Sequence, residues 1–297
     1  MISTNKEGKS YRFAFYRNEL LIERGNHNQS DAQERQASYG VPCQVEPPTP
    51  LPTGGMVHDC GEINGLPCKA YALSQPYNHP EPLPKSVEGC KCTPNEVEGE
   101  SFQPMPEWKM MDLRASYDYL PYEHYYKGGK AAELLHWEKN SRFCPACGVE
   151  TERISPIGKK CNCCHQEFYP QVSPAMIIRI RKGDAILLVR AKNFRGTFRG
   201  LVAGFVETGE SLEECVHREV LEETGLLIEN VKYFGSQPWP YPSVLMIGFT
   251  ADYKSGELRL QEEELTAGDF FTKENLPELP RKLSLARHLI DAWIAEE

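Results

Sequence analysis

The stretch that most constrains the fold of this chain is residues 204–226, GFVETGESLEECVHREVLEETGL. Ser211 is followed three residues later by Glu214, which is the spacing of a capping box at the start of a helix. Gly225 stands where a helix commonly ends in the left-handed conformation that glycine adopts easily. The pattern therefore predicts a helix over residues 211–224.

Three carboxylates, Glu219, Glu222 and Glu223, share one face of this helix because residues three and four apart are neighbours. Like charges this close destabilise a bare helix and raise carboxylate pKa values, and Arg218 alone cannot neutralise them. Hard divalent cations such as Mg²⁺ or Mn²⁺ take oxygen ligands and pair with phosphate substrates. The cluster therefore indicates metal-assisted phosphoryl chemistry, with a solvated acidic face as the alternative.

The spacing from Gly204 through Glu210 to residues 218–226, REVLEETGL, resembles the Nudix box of the Nudix hydrolases. This resemblance implies an α/β/α sandwich that binds its catalytic metal at the box. It also implies individual roles: Glu219 and Glu223 bind metal, Glu222 binds metal or orders water, Arg218 orients the carboxylates, and the backbone carbonyl of Ala203 is a further ligand.

Two CxxC pairs precede this region, and their members are Cys144, Cys147, Cys161 and Cys164. Two such pairs thirteen residues apart supply four thiolates for tetrahedral Zn²⁺, as in a zinc ribbon. The predicted role of this zinc is structural, because a small domain cannot bury enough core by itself. A thioredoxin-like redox pair is the alternative, but its helical context is missing. Cys163 and His165 are interpreted as bystanders.

Five further cysteines have no CxxC spacing, and they are Cys43, Cys60, Cys68, Cys90 and Cys92. We interpret them as free thiols, with a second metal site or a redox pair as the alternative.

Residues 236–243, SQPWPYPS, begin ten positions after Leu226, where the box ends. Three prolines and two aromatic rings make this run rigid and suited to stacking on a planar ring, although a proline-stiffened turn over the core is the alternative. The run resembles the SQPWPFPxS signature of the NADH pyrophosphatase family, except that Tyr241 replaces Phe and Ser243 comes one position early. The substrate contacts that this implies are Gln237, Pro238, Trp239, Pro240, Tyr241, Pro242, Ser243 and Val244.

The zinc ribbon is the other mark of that family, and the resemblance extends to residues outside the two motifs. It implies that Glu264, directly before the matching Leu265, is a late metal ligand. It further implies substrate contacts from Tyr169, from Ala286 and, in the N-terminal region, from Arg24 and Arg114.

The net charge of −9 means that long-range attraction does not bring an anionic nucleotide to the protein, so local cations must do so. The same charge disfavours a general nucleic-acid binder. No apolar run approaches the length of a membrane span, and the N-terminus has no hydrophobic signal core. We therefore expect no membrane contact and a cytoplasmic location.

The chain divides into a predicted α+β arrangement of three parts: a small, mostly β domain over residues 1–140, the ribbon over 141–169 and the Nudix domain over 170–297. The N-terminal part contains two proline-rich loops, over residues 25–55 and 76–106. Gly128-Gly129 predicts a helix break, with a second helix over residues 130–139. Late elements include a short strand over residues 257–260 and a closing helix over 283–295.

The family resemblance implies hydrolysis of the pyrophosphate of NADH or NAD⁺ to nicotinamide mononucleotide and AMP, with Mg²⁺ or Mn²⁺, by a homodimer with shared sites. Glu222 or Glu223 is the expected acceptor of the water proton. One alternative is removal of an NAD cap from the 5′ end of RNA by the same chemistry, which requires a basic route for the RNA. A second alternative is a nucleotide-binding sensor without catalysis, which the intact glutamates disfavour.

Overall fold

The computed structural model describes residues 9–24, 39–44, 57–74, 108–194 and 196–296. Contacts divide the chain into two compact units, Met1–Pro170 and Gln171–Glu297. The ribbon cysteines belong to the first unit, and the Nudix box belongs to the second. The three-part division with a boundary at residue 140 stays a prediction. Within the described part of the chain, no helix has the length and apolarity that a membrane span requires.

The first unit is built on a seven-stranded sheet in which β1 pairs with β2, β4 and, in parallel, β6. Its strands are β1 Ser10–Tyr16, β2 Glu19–Arg24, β3 Tyr39–Gly40, β4 Cys43–Gln44, β5 Val57–Ile63, β6 Leu66–Ala72 and β7 Trp108–Asp112. Asn64 and Gly65 both have positive φ and form the turn between β5 and β6. The predicted proline-rich loops lie largely outside the described residues.

Two helices follow the sheet, α1 Leu113–Ser116 and α2 Tyr122–Asn140. The predicted break at Gly128-Gly129 is wrong, because α2 continues through both glycines. Gly128 is buried, and a Cβ placed on it would lie at the ordinary contact distance of 3.4 Å from side-chain atoms of Leu113 and Leu20, so this face of the helix packs on the sheet. This tertiary contact outweighs the cost of about 1 kcal/mol that a glycine adds to a helix.

The ribbon consists of β8 Thr151–Ser155, β9 Gly158–Cys161 and β10 Glu167–Phe168. It is joined to α2 through Glu138, which is buried together with His58 and Lys159. The Glu138 carboxylate contacts Nζ of Lys159 at 2.6 Å, Nη2 of Arg153 at 2.5 Å and Nε2 of His58 at 3.1 Å. Burial raises the pKa of Glu138, but hydrogen bonds from His58 and Lys159 and the charge of Arg153 together lower it to about 2.

The predicted free thiols Cys43, Cys60 and Cys68 are free in the structure, and none of them belongs to a metal-binding cluster of the described residues. Burial raises the pKa of Cys60 to about 12 and that of Cys68 to about 11, so neither thiol is activated. Cys90 and Cys92 lie outside the described residues.

The second unit is a six-stranded sheet between two helices. Its elements are β11 Ser173–Lys182, β12 Ala185–Ala191, β13 Val202–Phe205, α3 Leu212–Thr224, β14 Leu227–Trp239, β15 Val244–Ser255, β16 Leu265–Phe271 and α4 Leu285–Ala295. The strands run in the order β14-β15-β11-β12-β16, and β13 pairs with β11. Alternate residues of β11 face opposite helices: Met176 and Ile178 share a core with α3, whereas Ile177 packs with α4. This arrangement is the predicted α/β/α sandwich.

Local signals placed α3 correctly. Ser211 and Glu214 form the capping box, and Gly225 ends the helix with φ 69°. The predicted strand over residues 257–260 is wrong. This segment instead lies beside the end of α3 and is hydrogen-bonded to it. Arg259 N donates to Thr224 O and Gln261 N donates to Glu223 O, each at 2.9 Å.

Candidate active site

Gly204 and Glu219 define the closest approach between a strand and α3. Ala203 and Gly204 lie in β13, where they pair with Ile177 and Met176 of β11. A Cβ added to Gly204 would fall 1.9 Å from the carboxyl carbon of Glu219 and 2.1 to 2.3 Å from its oxygens. Only glycine therefore leaves room for the Glu219 carboxylate above this strand.

Arg218 is bound on several sides. Its guanidinium donates to Glu210 at 2.6 and 3.0 Å, to Glu219 at 3.0 Å, to Glu222 at 3.2 Å and to the carbonyl of Phe205 at 3.0 Å. Hydrogen bonds from Arg218 lower the pKa of Glu210 to about 2. Arg218 therefore fixes the carboxylates while leaving much of their charge uncompensated.

Glu223 is a buried carboxylate without a cationic partner among the described residues. It is 3% exposed, and no cationic side chain among the described residues forms an ion pair with it. Burial, and then the charges of Glu219, Glu264 and Glu222, raise its pKa to about 8. Burial also raises the pKa of Glu219. An oxygen-rich, negatively charged cluster of this kind fits a hard divalent cation.

Glu264 reaches this cluster through the backbone. The residues before it lie beside the end of α3, to which Arg259 and Gln261 are hydrogen-bonded. Lys192 N donates to Glu264 O at 2.8 Å, and β16 begins at the next residue, Leu265. Of the run Glu262 to Glu264, Glu264 is the one whose charge raises the pKa of Glu219 and Glu223. The structure thus brings together the four glutamates that the sequence singled out. Metal ligation by these carboxylates and by the Ala203 carbonyl stays a prediction.

The four ribbon cysteines converge in the first unit, where their Sγ atoms all lie within 4.8 Å of one another. The closest pairs are Cys147 and Cys161 at 3.4 Å and Cys144 and Cys164 at 3.5 Å. Four thiolates about 2.3 Å from one ion would be spaced by nearly this distance, so the donor set fits tetrahedral Zn²⁺. Cys163 is exposed and lies outside the cluster, in agreement with its interpretation as a bystander.

The signature run does not form one separate turn, because β14 continues through Trp239. The chain then turns at Tyr241, whose N–H donates to the Trp239 carbonyl at 2.7 Å, and Tyr241-Pro242 is a cis peptide. The rings of Trp239 and Tyr241 meet edge to face with centroids 5.2 Å apart. Ser243 O accepts from Ser173 N at 2.9 Å, which fixes the run beside the start of β11.

Gln237 has a role that the sequence did not reveal. Its side chain is buried, with Nε2 donating to Leu283 O at 2.8 Å and Oε1 accepting from Leu285 N at 2.7 Å. Both amide atoms therefore hold the first turn of α4, the turn that carries Ala286. A direct substrate contact by Gln237 or Ala286 stays a prediction, but the structure already gives Gln237 a positioning function.

The predicted contacts from the first unit are dispersed. Arg24 lies at one end of β2, whereas Arg114 follows the β7 residue that pairs with Glu19 at the other end. Five residues of extended strand span about 17 Å, so the two arginines do not form one local site within this unit. Tyr169 is exposed, and its hydroxyl donates to Glu167 at 2.7 Å.

Phe205 is a candidate residue that the sequence did not single out. It directly follows Gly204, is 58% exposed and pairs through its backbone with Ala175 of β11. Ser173 contacts the signature run through its backbone, so Phe205 and the run flank the same end of β11. An exposed aromatic side chain beside a carboxylate cluster is suited to bind a planar ring. The signal available in the sequence was its position one residue after the box glycine.

Comparisons with known proteins agree with this arrangement. Residues 170–293 match the model of the NUDIX domain, and residues 9–137 match the NADH pyrophosphatase-like rudimentary NUDIX domain. The NAD-capped RNA hydrolase NudC of Pseudomonas syringae pv. syringae is 45% identical over 171 residues, which cover 57% of this chain and 61% of that protein. NudC of Mannheimia succiniciproducens is 42% identical over 197 residues, covering 62% and 74% of the two chains.

Among solved structures, a NUDIX hydrolase from Nitrosomonas europaea aligns with a TM-score of 0.43 and 20% identity over 52% of this chain and 92% of its own. In the two comparisons with NudC proteins, this chain covers about three fifths of the length of the Pseudomonas relative and nearly three quarters of the length of the Mannheimia relative. With both family models matching in tandem, this chain belongs to the NADH pyrophosphatase family of Nudix hydrolases.

Proposed function

We propose that this protein hydrolyses the pyrophosphate bond of NADH or NAD⁺ to nicotinamide mononucleotide, reduced or oxidised, and AMP. The observation that carries this proposal is the buried Glu223 among Glu219, Glu222 and Glu264, with Arg218 holding two of them. Such a cluster suits phosphoryl chemistry and has no evident purpose in a binding protein without catalysis. The catalytic cation is Mg²⁺ or Mn²⁺, and the ribbon cysteines hold Zn²⁺.

Glu219, Glu223 and Glu264 would hold the divalent ions, which supply charge neutralisation at the phosphates and acidify a water molecule. Arg218 orients Glu219 and Glu222 through the hydrogen bonds described above. Glu222 or Glu223 accepts the proton of the attacking water.

The aromatic residues that flank the start of β11 bind a planar ring of the substrate. Trp239 and Tyr241 present two rings at this end of the sheet, and Phe205 adds an exposed third ring. Stacking of nicotinamide or adenine against such rings contributes binding that does not depend on the net charge of the protein. Orientation of the dinucleotide would then place its pyrophosphate over the carboxylate cluster.

Removal of the NAD cap from RNA is a second candidate function, favoured by relatives that are named NAD-capped RNA hydrolase. The bond to be cleaved is the same, so the same carboxylates serve. We further infer a homodimer and a cytoplasmic location from the family resemblance.

Product analysis tests these functions directly. Purified protein with Mg²⁺ or Mn²⁺ is incubated side by side with NADH, ADP-ribose, a diadenosine polyphosphate and NAD-capped RNA. Preferential formation of reduced nicotinamide mononucleotide and AMP supports the dinucleotide activity, whereas cleavage of capped RNA alone makes RNA the substrate. The Glu223→Gln variant should bind without turnover. Binding of NADH by the wild-type protein without cleavage of any substrate would favour a sensor.

A further inference from the structure

The loop between β12 and β13 has a charge pattern unlike the rest of the chain. Together with the last two residues of β12, its residues form the segment 190–199, RAKNFRGTFR, which contains four cationic side chains and no acidic one, although the chain as a whole has a net charge of −9. The triplet Phe-Arg-Gly occurs twice, at 194–196 and 198–200. Aromatic rings interleaved with cations are the composition of surfaces that bind single-stranded nucleic acid.

This loop adjoins the carboxylate cluster at both of its ends. At its start, Lys192 N donates to the carbonyl of Glu264 at 2.8 Å. At its end, Gly200 pairs with Val189, and the chain continues through β13 to Gly204 beneath Glu219. A ligand that extends beyond the pyrophosphate therefore meets this loop within a few residues of the metal-binding carboxylates.

Hydrogen bonds to backbone carbonyls hold the loop in shape. Nη2 of Arg190 donates to Gly196 O at 2.8 Å, and Arg199 N donates to Glu278 O at 2.9 Å. Phe194 and Phe198 stack with centroids 4.6 Å apart and planes 20° from parallel. Both rings are half-buried, so each keeps part of its surface accessible. The loop thus presents a preformed aromatic surface.

Lys192 and Arg199 of the loop have no acidic partner among the described residues. Lys192 is exposed, and the Arg199 guanidinium lies over the Phe271 ring at 4.9 Å. Within residues 108–194 and 196–296 and the other described ranges, no carboxylate forms an ion pair with either side chain. Arg195 lies outside the described residues. Lys192 and Arg199 are therefore available to an anionic ligand.

We propose that this loop binds the RNA chain that follows the NAD cap, with Lys192 and Arg199 contacting phosphates and Phe194 and Phe198 contacting bases. This inference rests on the proposed function, because it adds a site for the RNA body to the same catalytic centre. NADH ends at its second nucleoside and has no such body. The loop therefore distinguishes capped RNA from the free dinucleotide.

The test compares the Lys192→Gln/Arg199→Gln double variant with wild type on NADH and on a single-stranded NAD-capped RNA of about twenty nucleotides. We expect kcat/KM for NADH to stay within about twofold and kcat/KM for capped RNA to fall about tenfold at low salt. Two lost phosphate contacts on a single strand should also reduce the slope of log kcat/KM against log salt by about 1.4. Lys254→Gln, an exposed cation at the opposite end of the sheet, is the matched control.

Binding is measured separately by anisotropy of labelled capped RNA on the Glu223→Gln background, so that a failure of the catalytic proposal does not obscure the outcome. Weaker RNA binding after the loop substitutions supports the loop site even if NADH is not hydrolysed. Unchanged RNA binding, or an equal loss of kcat/KM on both substrates, overturns it. The single variant Lys192→Gln, at an exposed side chain, covers the case in which the double variant unfolds.

Discussion

Replacing Gly204 by alanine tests the geometry of the site through one methyl group. Gly204 does not have a positive φ, so alanine is compatible with the backbone of β13. The added Cβ would lie 1.9 Å from the carboxyl carbon of Glu219, whereas ordinary contact begins at 3.4 Å. The Glu219 carboxylate must therefore retreat by about 1.5 Å, the difference between these two separations.

This displacement should impair catalysis much more than stability. A misplacement of about 1 Å at a catalytic group can cost about 100-fold in rate, or roughly 2.7 kcal/mol in the activation free energy. The obstructing group is the end of a flexible side chain, so the free energy of unfolding should change by less than about 1 kcal/mol. We therefore expect kcat to fall about 100-fold and the affinity for Mn²⁺ to decrease, with an almost unchanged Tm.

The assay combines NADH hydrolysis, Mn²⁺ titration and thermal unfolding of the Gly204→Ala variant. Gly235→Ala is the matched control, because Gly235 also lies in a strand of this sheet and nothing lies within 4 Å of its added Cβ. The control should retain wild-type kcat. If Gly204→Ala also keeps wild-type kcat and Mn²⁺ affinity, then the position of Glu219 above Gly204 does not matter for the reaction and its assignment as a ligand is refuted.

Three further predictions concern buried polar groups. Glu223 has a folded-state pKa of about 8 against an ordinary 4.5, so the folded protein holds this proton more tightly than the unfolded chain does. Without Mg²⁺ or Mn²⁺, the free energy of unfolding should therefore decline as pH rises from about 4.5 to 8. Urea denaturation across this range should show that Glu223→Gln removes the decline. Gln237→Met leaves Leu283 O and Leu285 N without their side-chain partner, so KM for NADH and amide exchange at Leu285 should increase, whereas the exposed Ser236→Ala control should change neither. Glu138→Gln removes the counter-charge of buried Lys159 and should destabilise the first unit by about 3 to 5 kcal/mol, and an unchanged urea midpoint would contradict this.

Features encoded by short-range spacing were predictable. The limits of α3 follow from Ser211, Glu214 and Gly225, because caps and stops depend on residues within one helical turn. The metal site of the ribbon cysteines was equally predictable, since the spacing of the ligands alone defines a tetrahedral set of thiolates. In both cases the chemistry is complete within a segment of about twenty residues, so no knowledge of the tertiary structure was needed.

Features decided by packing were not predictable from a single sequence. Gly128-Gly129 is a pair typical of a helix break, yet both glycines are buried within the continuous helix α2, which packs on the first sheet. Residues 257–260 have a strand-like pattern, but hydrogen bonds to the end of α3 occupy Arg259 and Gln261. Local propensity is a weak preference, and long-range contacts reversed it at both places.

The candidate site lies between these two cases. Glu219 and Glu223 are placed by the helix itself, whereas Glu264 is placed by hydrogen bonds from Gln261 N to Glu223 O and from Lys192 N to Glu264 O. The side chain of Glu264 therefore depends on the fit of two loops rather than on its own neighbours in sequence. Substitutions of residues 257–263 that preserve every carboxylate of the box should still alter metal affinity, because they move the fourth carboxylate relative to the other three.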